Sequence, residues 1–191
     1  IIMVHGDDRG LVLPPRIAPY KVVIIPIGND DEVNSVVNKI SNELKDLNIT
    51  YKIDNKDKTP GFKFAEAEVK GYPIRIEIGK RGLSNNTVTI VRRDTLEKED
   101  IAINEASIKV SELLVNIQND MYQRALKRRN AMLYNVSSWD EMKETASKPG
   151  FIYSNWCGDV SCENKIKDEL GLKSRCMPFE KEDIGDTCVC C

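Results

Sequence analysis

Six cysteines, Cys157, Cys162, Cys176, Cys188, Cys190 and Cys191, carry the first chemistry legible in this chain of 191 residues. All lie in the last 35 residues and none in the first 156. A secreted protein built on disulfides spreads its bridges through the chain. Clustered thiols favour a metal, the more so because the apolar start breaks at His5-Gly6-Asp7-Asp8 before any secretory pattern develops. Cys157 with Cys162 and Cys188 with Cys190 make two pairs of the kind that fill the corners of a tetrahedral thiolate site, at spacings less usual than two intervening residues. Four sulfurs close such a site and leave no position open for catalysis. Cys176, ahead of Met177-Pro178-Phe179, reads as a small buried hydrophobe. His5 is the only histidine and has no nucleophile near it in sequence, which makes it a polar residue in a connector rather than a general base.

The second chemistry is cationic. Net charge is only -2, yet residues 58–93 hold eight basic side chains against Glu66, Glu68 and Glu77, a local excess of +5. Such a patch holds a polyanion without making the whole molecule adhesive; the plain alternative is a solvated charged face. Within it, Glu68 and Arg75 read on spacing alone as a surface ion pair. A further run, Lys127-Arg128-Arg129, stands where cations complement a helix C-terminus. No stretch approaches the roughly 20 apolar residues of a membrane span, so a cytoplasmic protein with no membrane partner is expected.

The elements that must position these groups follow from pattern. The length and a 41% hydrophobic content allow one ordinary domain and a smaller one. Residues 20–27 (YKVVIIPI) form a continuous β-branched run, the mark of a strand buried on both faces. Gly28-Asn29-Asp30-Asp31 offers a helix start, and Val33, Val36, Val37, Ile40 and Leu44 recur at helical spacing before a strand at 49–53. Thr59-Pro60 opens a second helix that Gly71 ends. Residues 73–78 then alternate, with Ile74, Ile76 and Ile78 on a buried face and Arg75 and Glu77 on an exposed one. Asn85-Asn86 turns into a strand at 87–91, and one amphipathic helix of about 50 Å is expected from Ile101 to about Tyr134. Residues 147–150 (SKPG) mark the boundary to the cysteine-bearing unit.

Four segments in order resemble the prolyl-tRNA synthetase family, in its archaeal and eukaryotic-like type. They are His5-Gly6-Asp7-Asp8-Arg9-Gly10 running to Pro14-Pro15; Thr59-Pro60-Gly61-Phe62-Lys63-Phe64 continuing through Glu68, Gly71, Pro73, Arg75, Glu77 and Gly79; Val91-Arg92-Arg93-Asp94-Thr95 into Asn104-Glu105-Ala106; and the cysteines with Arg175-Cys176-Met177-Pro178-Phe179. The resemblance implies an α/β anticodon-binding domain of the class II synthetases, a mixed five-stranded sheet with flanking helices, followed by a small α+β cysteine-rich zinc domain. It divides the chain into a connector from a missing catalytic domain at 1–19, the anticodon-binding domain with its long C-terminal helix at 20–134, and a C-terminal zinc-binding domain, incomplete at its end, at 135–191.

The function it implies is recognition of the tRNA(Pro) anticodon within a proline–tRNA ligase that activates proline with ATP and charges its tRNA. The catalytic half, with its ATP, magnesium and main homodimer interface, is expected before Ile1, so this fragment alone is expected to have no catalytic residue and no activity. Every proline anticodon carries two adjacent guanines, and a protein reads guanine with a bidentate arginine on O6 and N7 or a carboxylate on the N1 and N2 hydrogens. The resemblance assigns anticodon contacts to Glu68, Arg75 and Arg81, which leaves Lys63, Lys80, Arg92 and Arg93 as candidates for phosphate contacts. It makes Cys157, Cys162, Cys188 and Cys190 ligands of a structural zinc. Departures fall at Ala67, where the family commonly has an aromatic residue, at Gly82, often aspartate, and at Cys191, usually glycine. A stand-alone synthetase-derived RNA-binding module without catalysis has the same ligand chemistry. A threonyl or glycyl synthetase shares the α/β plan but lacks the terminal cysteine unit.

Overall fold

After a single helical turn at α1 (Ile2–His5), the apolar run forms β1 (Val22–Ile27), buried over its first five residues. β1 pairs in parallel with β2 (Tyr51–Ile53) on one side and β3 (Ile74–Gly79) on the other. Pairing with β2 stops at Ile24↔Ile53, so Pro26, which has no N–H to give, faces no partner on that side. α2 (Asp31–Asp46) connects β1 to β2, and α3 (Pro60–Lys70) connects β2 to β3. Thr59 caps α3 by accepting from the Phe62 N–H, and Gly71 ends it in the left-handed region at φ 72°. A short turn, α4 (Lys80–Leu83), leads into β4 (Thr87–Arg92), which pairs antiparallel with β3 and then with β5 (Lys98–Ala102). The sheet order is β2-β1-β3-β4-β5, the mixed five-stranded sheet that was expected. The computed structural model describes residues 1–179 and 187–191, in two compact units, Ile1–Ala125 and Leu126–Cys191.

Alternation sorts the two faces of the first unit's sheet. Val22 and Ile24 of β1, Ile74, Ile76 and Ile78 of β3, and Val88 and Ile90 of β4 pack with α2 and α5 (Ala106–Asn130) in the main core. The opposite face is thinner: Val23, Ile25 and Ala67 cluster there with Phe64 and Tyr72 beside them, and Val91 of β4 lies buried across from Arg75. That thin layer under α3 also receives the odd positions of β3, Arg75 and Glu77, so polar groups stand where the first face has isoleucine.

Two boundaries differ from those expected. The long helix starts at Ala106 rather than Ile101 and spans about 37 Å, because Lys98–Ala102 pairs with β4 as an edge strand. Lys98, Glu99 and Asp100 hid it, since charge protects an open edge but carries no strand signature. In the second unit, β6 (Leu133–Asn135) and β7 (Phe151–Tyr153) pair in parallel across α6 (Trp139–Thr145), and α7 (Val160–Leu170) follows. Residues 147–150 are thus the loop between α6 and β7, inside this unit rather than at its edge. Val136, Met142 and Val189 form its core, with Trp139, Ile152, Ile166 and Leu170 against them. Among the described residues no helix is long and apolar enough to cross a membrane.

Candidate functional site

Glu68 sits in the last turn of α3 and Arg75 on β3, and the thin face of the sheet brings them together. Arg75 Nη1 donates to Glu68 Oε1 at 3.1 Å and to Phe64 O at 3.4 Å, while its Nε donates to Glu77 Oε1 at 2.9 Å. The guanidinium also lies over the Phe64 ring, 4.6 Å from its centroid. Its Nη2 makes no hydrogen bond among the described residues. The expected exposed face is therefore a covered one: the Arg75 side chain is 7% exposed. Alternation correctly puts it opposite the isoleucines, but α3 with Phe64 roofs that side of the strand. Arg9, from the N-terminal segment, donates to the other oxygen, Glu68 Oε2, at 3.1 Å. Burial by itself raises the Glu68 carboxyl, but the hydrogen bonds from Arg75 and Arg9 outweigh it and hold the group below its ordinary value, ionised at neutral pH.

These side chains open on a shallow surface cleft lined by Ala67, Glu68, Tyr72, Arg75, Arg93 and Leu96 among others. It has room for little more than a water molecule, so it does not enclose a small-molecule ligand. A flat group presented edge-on suits it better than an engulfed ligand.

The other expected contacts divide. Arg81 is exposed and makes no hydrogen bond or ion pair with the described residues. Lys80 is exposed too and pairs with Asp30 at 2.8 Å. Lys63 is buried, its Nζ donating to Asp54 O at 3.1 Å, so its charge serves the loop after β2 rather than a surface. Arg93 is buried as well: it grips both oxygens of Asp7 at 2.6 and 2.7 Å and donates from Nε to Glu68 O. Arg92 holds Asp94 with two bonds of 3.0 Å and Asp120 at 2.7 Å, and Arg124 adds a bond of 2.7 Å to Asp94. Arg92 and Arg93 thus brace the cleft from within. The departure at Gly82 has a local reason, since a Cβ there would approach Thr87 O to 2.7 Å. Two cradle members went unread in the sequence. Phe64 lies four residues before Glu68 on one helix, a spacing that places both on the same face. Arg9 lies 59 residues away and gave no signal.

In the second unit the thiols gather. Cys157, Cys162, Cys188 and Cys191 have their sulfurs all within 4.8 Å of one another. A tetrahedron with bonds of about 2.3 Å has edges of about 3.8 Å. The Cys157–Cys162 separation of 3.6 Å fits that edge and is far too long for a disulfide. Three of the four expected cysteines are there, but Cys191 takes the place expected for Cys190. Cys190 instead packs on the apolar core, and its Sγ lies 3.7 Å from Cys162 O. Cys176 is exposed, not buried as its neighbours implied. Burial works against a charge on Cys188, but the backbone N–H groups of Cys190, Cys191 and Cys157 outweigh it and bring its thiol down to about 6. The Cys157 sulfur, then burial, push the Cys162 thiol up. Crowded thiols that cannot all ionise alone are a set of donors suited to a metal cation.

Residues 21–113 match the family model of the anticodon binding domain, and residues 139–191 match that of the prolyl-tRNA synthetase C-terminal region. The mixed sheet with its flanking helices is therefore an anticodon-binding domain. Proline–tRNA ligase of Clostridium novyi (strain NT) is 49% identical over 195 residues, a match covering all of this chain and 40% of the relative. That of Oceanobacillus iheyensis is 47% identical over 194 residues, with the same coverage. The crystal structure of prolyl-tRNA synthetase from Cryptosporidium parvum complexed with L-proline and AMP aligns at a TM-score of 0.91 and 38% identity, over all of this chain and 42% of that one. The chain belongs to the prolyl-tRNA synthetase family and corresponds to a C-terminal part of it, spanning about 40% of the length of the curated relatives it matches.

Proposed function

We propose that this chain selects tRNA(Pro) for a proline–tRNA ligase by reading the two adjacent anticodon guanines, with Glu68, Arg75 and Arg81 as the contacting residues. The observation that carries this reading is the ionised Glu68 carboxylate held 3.1 Å from the Arg75 guanidinium at an open, shallow cleft. A carboxylate accepts from the N1 and N2 hydrogens of guanine, which adenine cannot supply in that pattern, and a guanidinium donates to guanine O6 and N7. The unpartnered Nη2 of Arg75 and the exposed Arg81 are the donors left for that work. Unstacked anticodon bases present the edges that such groups read.

In this reading proline, ATP and magnesium act at a catalytic centre in the portion of the relatives' length that this chain does not span, and the intact enzyme works as a cytoplasmic homodimer. Zinc is the metal that suits an all-sulfur tetrahedral set, held by Cys157, Cys162 and Cys188 with Cys191 as the fourth ligand in place of Cys190. It would hold the short elements of the second unit together and supply no reaction step.

Binding of tRNA(Pro) compared with a transcript whose two anticodon guanines are replaced tests the central claim. Loss of binding on replacement is expected. Equal binding of the two transcripts would reduce the cleft to a polyanion contact.

A further inference from the structure

The N-terminal segment is fastened to the end of α3 by contacts that sequence motifs do not assign to base reading. Asp7 accepts two bonds from Arg93, and its Oδ1 also takes the backbone N–H groups of Arg9 and Gly10. Gly10 lies so close to α3 that a Cβ would stand 2.5 Å from Val69 Cα, at a φ of +135° open only to glycine. Leu11 N–H then donates to Val69 O at 3.1 Å. Arg9 is thus carried on a turn fixed on both sides, and its fork reaches Glu68 Oε2 although its side chain is 59% exposed.

An ionised carboxylate has about four lone-pair sites, two on each oxygen. Arg75 takes one on Oε1 and Arg9 one on Oε2. One site stays open on each oxygen, the number and pairing that the N1–H and N2–H of a guanine require. We propose that Arg9 is a positioning residue for anticodon specificity: it fixes the Glu68 carboxylate from the side opposite Arg75, so that its two free lone pairs accept together from one guanine. This rests on the guanine-reading function proposed above. Without Arg9 the carboxylate is tethered at one oxygen and turns about that bond, and the bond to the 2-amino group suffers first.

Anticodon stem-loops of tRNA(Pro) carrying guanine or inosine at each of the two guanine positions test this with the intact protein, because inosine lacks only the 2-amino group. Wild-type protein is expected to bind the inosine form more weakly at one position. Arg9→Met keeps the aliphatic stem, and is expected to shrink that penalty about three- to fivefold, the range open to one exposed charge pair. Its thermal midpoint should stay where it is, and Arg9→Lys should restore part of the penalty. Weaker binding of both loops by the same factor would make Arg9 a phosphate contact and overturn the proposal. So would an unchanged penalty in Arg9→Met beside a penalty erased in Glu68→Gln. A penalty that survives Glu68→Gln would remove the guanine-reading function itself, and the role of Arg9 with it.

Discussion

The Glu68–Arg75 cleft and the cysteine cluster reach order by opposite routes. In the cleft the charges already have partners of opposite sign: Glu68 on α3 meets Arg75 on β3, and Arg93, just past β4, meets Asp7 in the N-terminal segment. The fold completes that site without a ligand. In the cluster the donors come from the stretch around the start of α7 and from the chain's last residues, and four like groups converge with nothing of opposite charge among them. A core of Val136, Met142 and Val189 is small for the unit it supports, and the proposed zinc would supply a cross-link there. One site is organised before it binds, and the other, with the proposed zinc, would be organised by binding.

The largest expected effect breaks this contrast directly. Chelation of the metal, or Cys162→Ser, should abolish cooperative folding of the second unit, since structural zinc contributes apparent energies of about 10 kcal/mol or more. Amide exchange should show protection lost in α6 and α7 while the five-stranded sheet keeps its own. Cys191→Ser should lower zinc content as Cys162→Ser does, and Cys190→Ser should retain the metal. Retention in Cys191→Ser would return the fourth corner to Cys190.

The clamp under the cleft comes next. Arg93→Ala removes a buried guanidinium that donates to Glu68 O and to the exposed Asp7 carboxylate, and should cost the first unit about 1–2 kcal/mol in urea unfolding. The Arg93 hydrogen bonds hold the Asp7 carboxyl at about 2, below its usual 3.8. A carboxyl depressed on folding stabilises at full strength above the unfolded value and loses that contribution as pH falls through the folded one. Wild-type protein should therefore lose stability between about pH 4 and pH 2 more steeply than Asp7→Asn does.

Arg75→Ala follows, with an expected loss of about 1–3 kcal/mol in binding tRNA(Pro) and weaker discrimination at one guanine. The variant also leaves Glu68 and Glu77 facing each other without the cation between them. Arg75→Lys keeps a charge but not the fork, so recovered discrimination there would show that the charge alone suffices.

Much of this was legible because local rules and the fold agree. The alternation of Ile74, Ile76 and Ile78 against Arg75 and Glu77 assigns faces correctly, and Thr59, Pro60 and Gly71 bound α3 where the structure bounds it. Periodicity gives a residue's face but not what covers it, which is why Arg75, Lys63 and Arg93 read as exposed cations and are buried ones. The charged strand at Lys98–Ala102 was hidden for the related reason that an edge is chosen by its neighbour, β4. Arg9 and the exchange of Cys190 for Cys191 lie further out of reach. The first depends on a contact across 59 residues, and the second on which of two adjacent thiols the chain end turns toward the other sulfurs.

Arg81 gives the smallest effect and the finest test of the cleft. It stands on α4 immediately beyond β3, and unlike Arg75 it has no partner to leave among the described residues. Its removal therefore strands no carboxylate, and the loss on Arg81→Ala reports only what it gives to RNA, about 1 kcal/mol or less for an exposed cation. Salt separates its two possible roles. If Arg81 neutralises a phosphate, binding should weaken alike for native and guanine-replaced loops, and the slope of log affinity against log salt should fall by about 1. If it donates to a guanine edge, the loss should appear with the native loop and vanish with the replaced one. The second outcome is expected, since Lys80 beside it already spends its charge on Asp30.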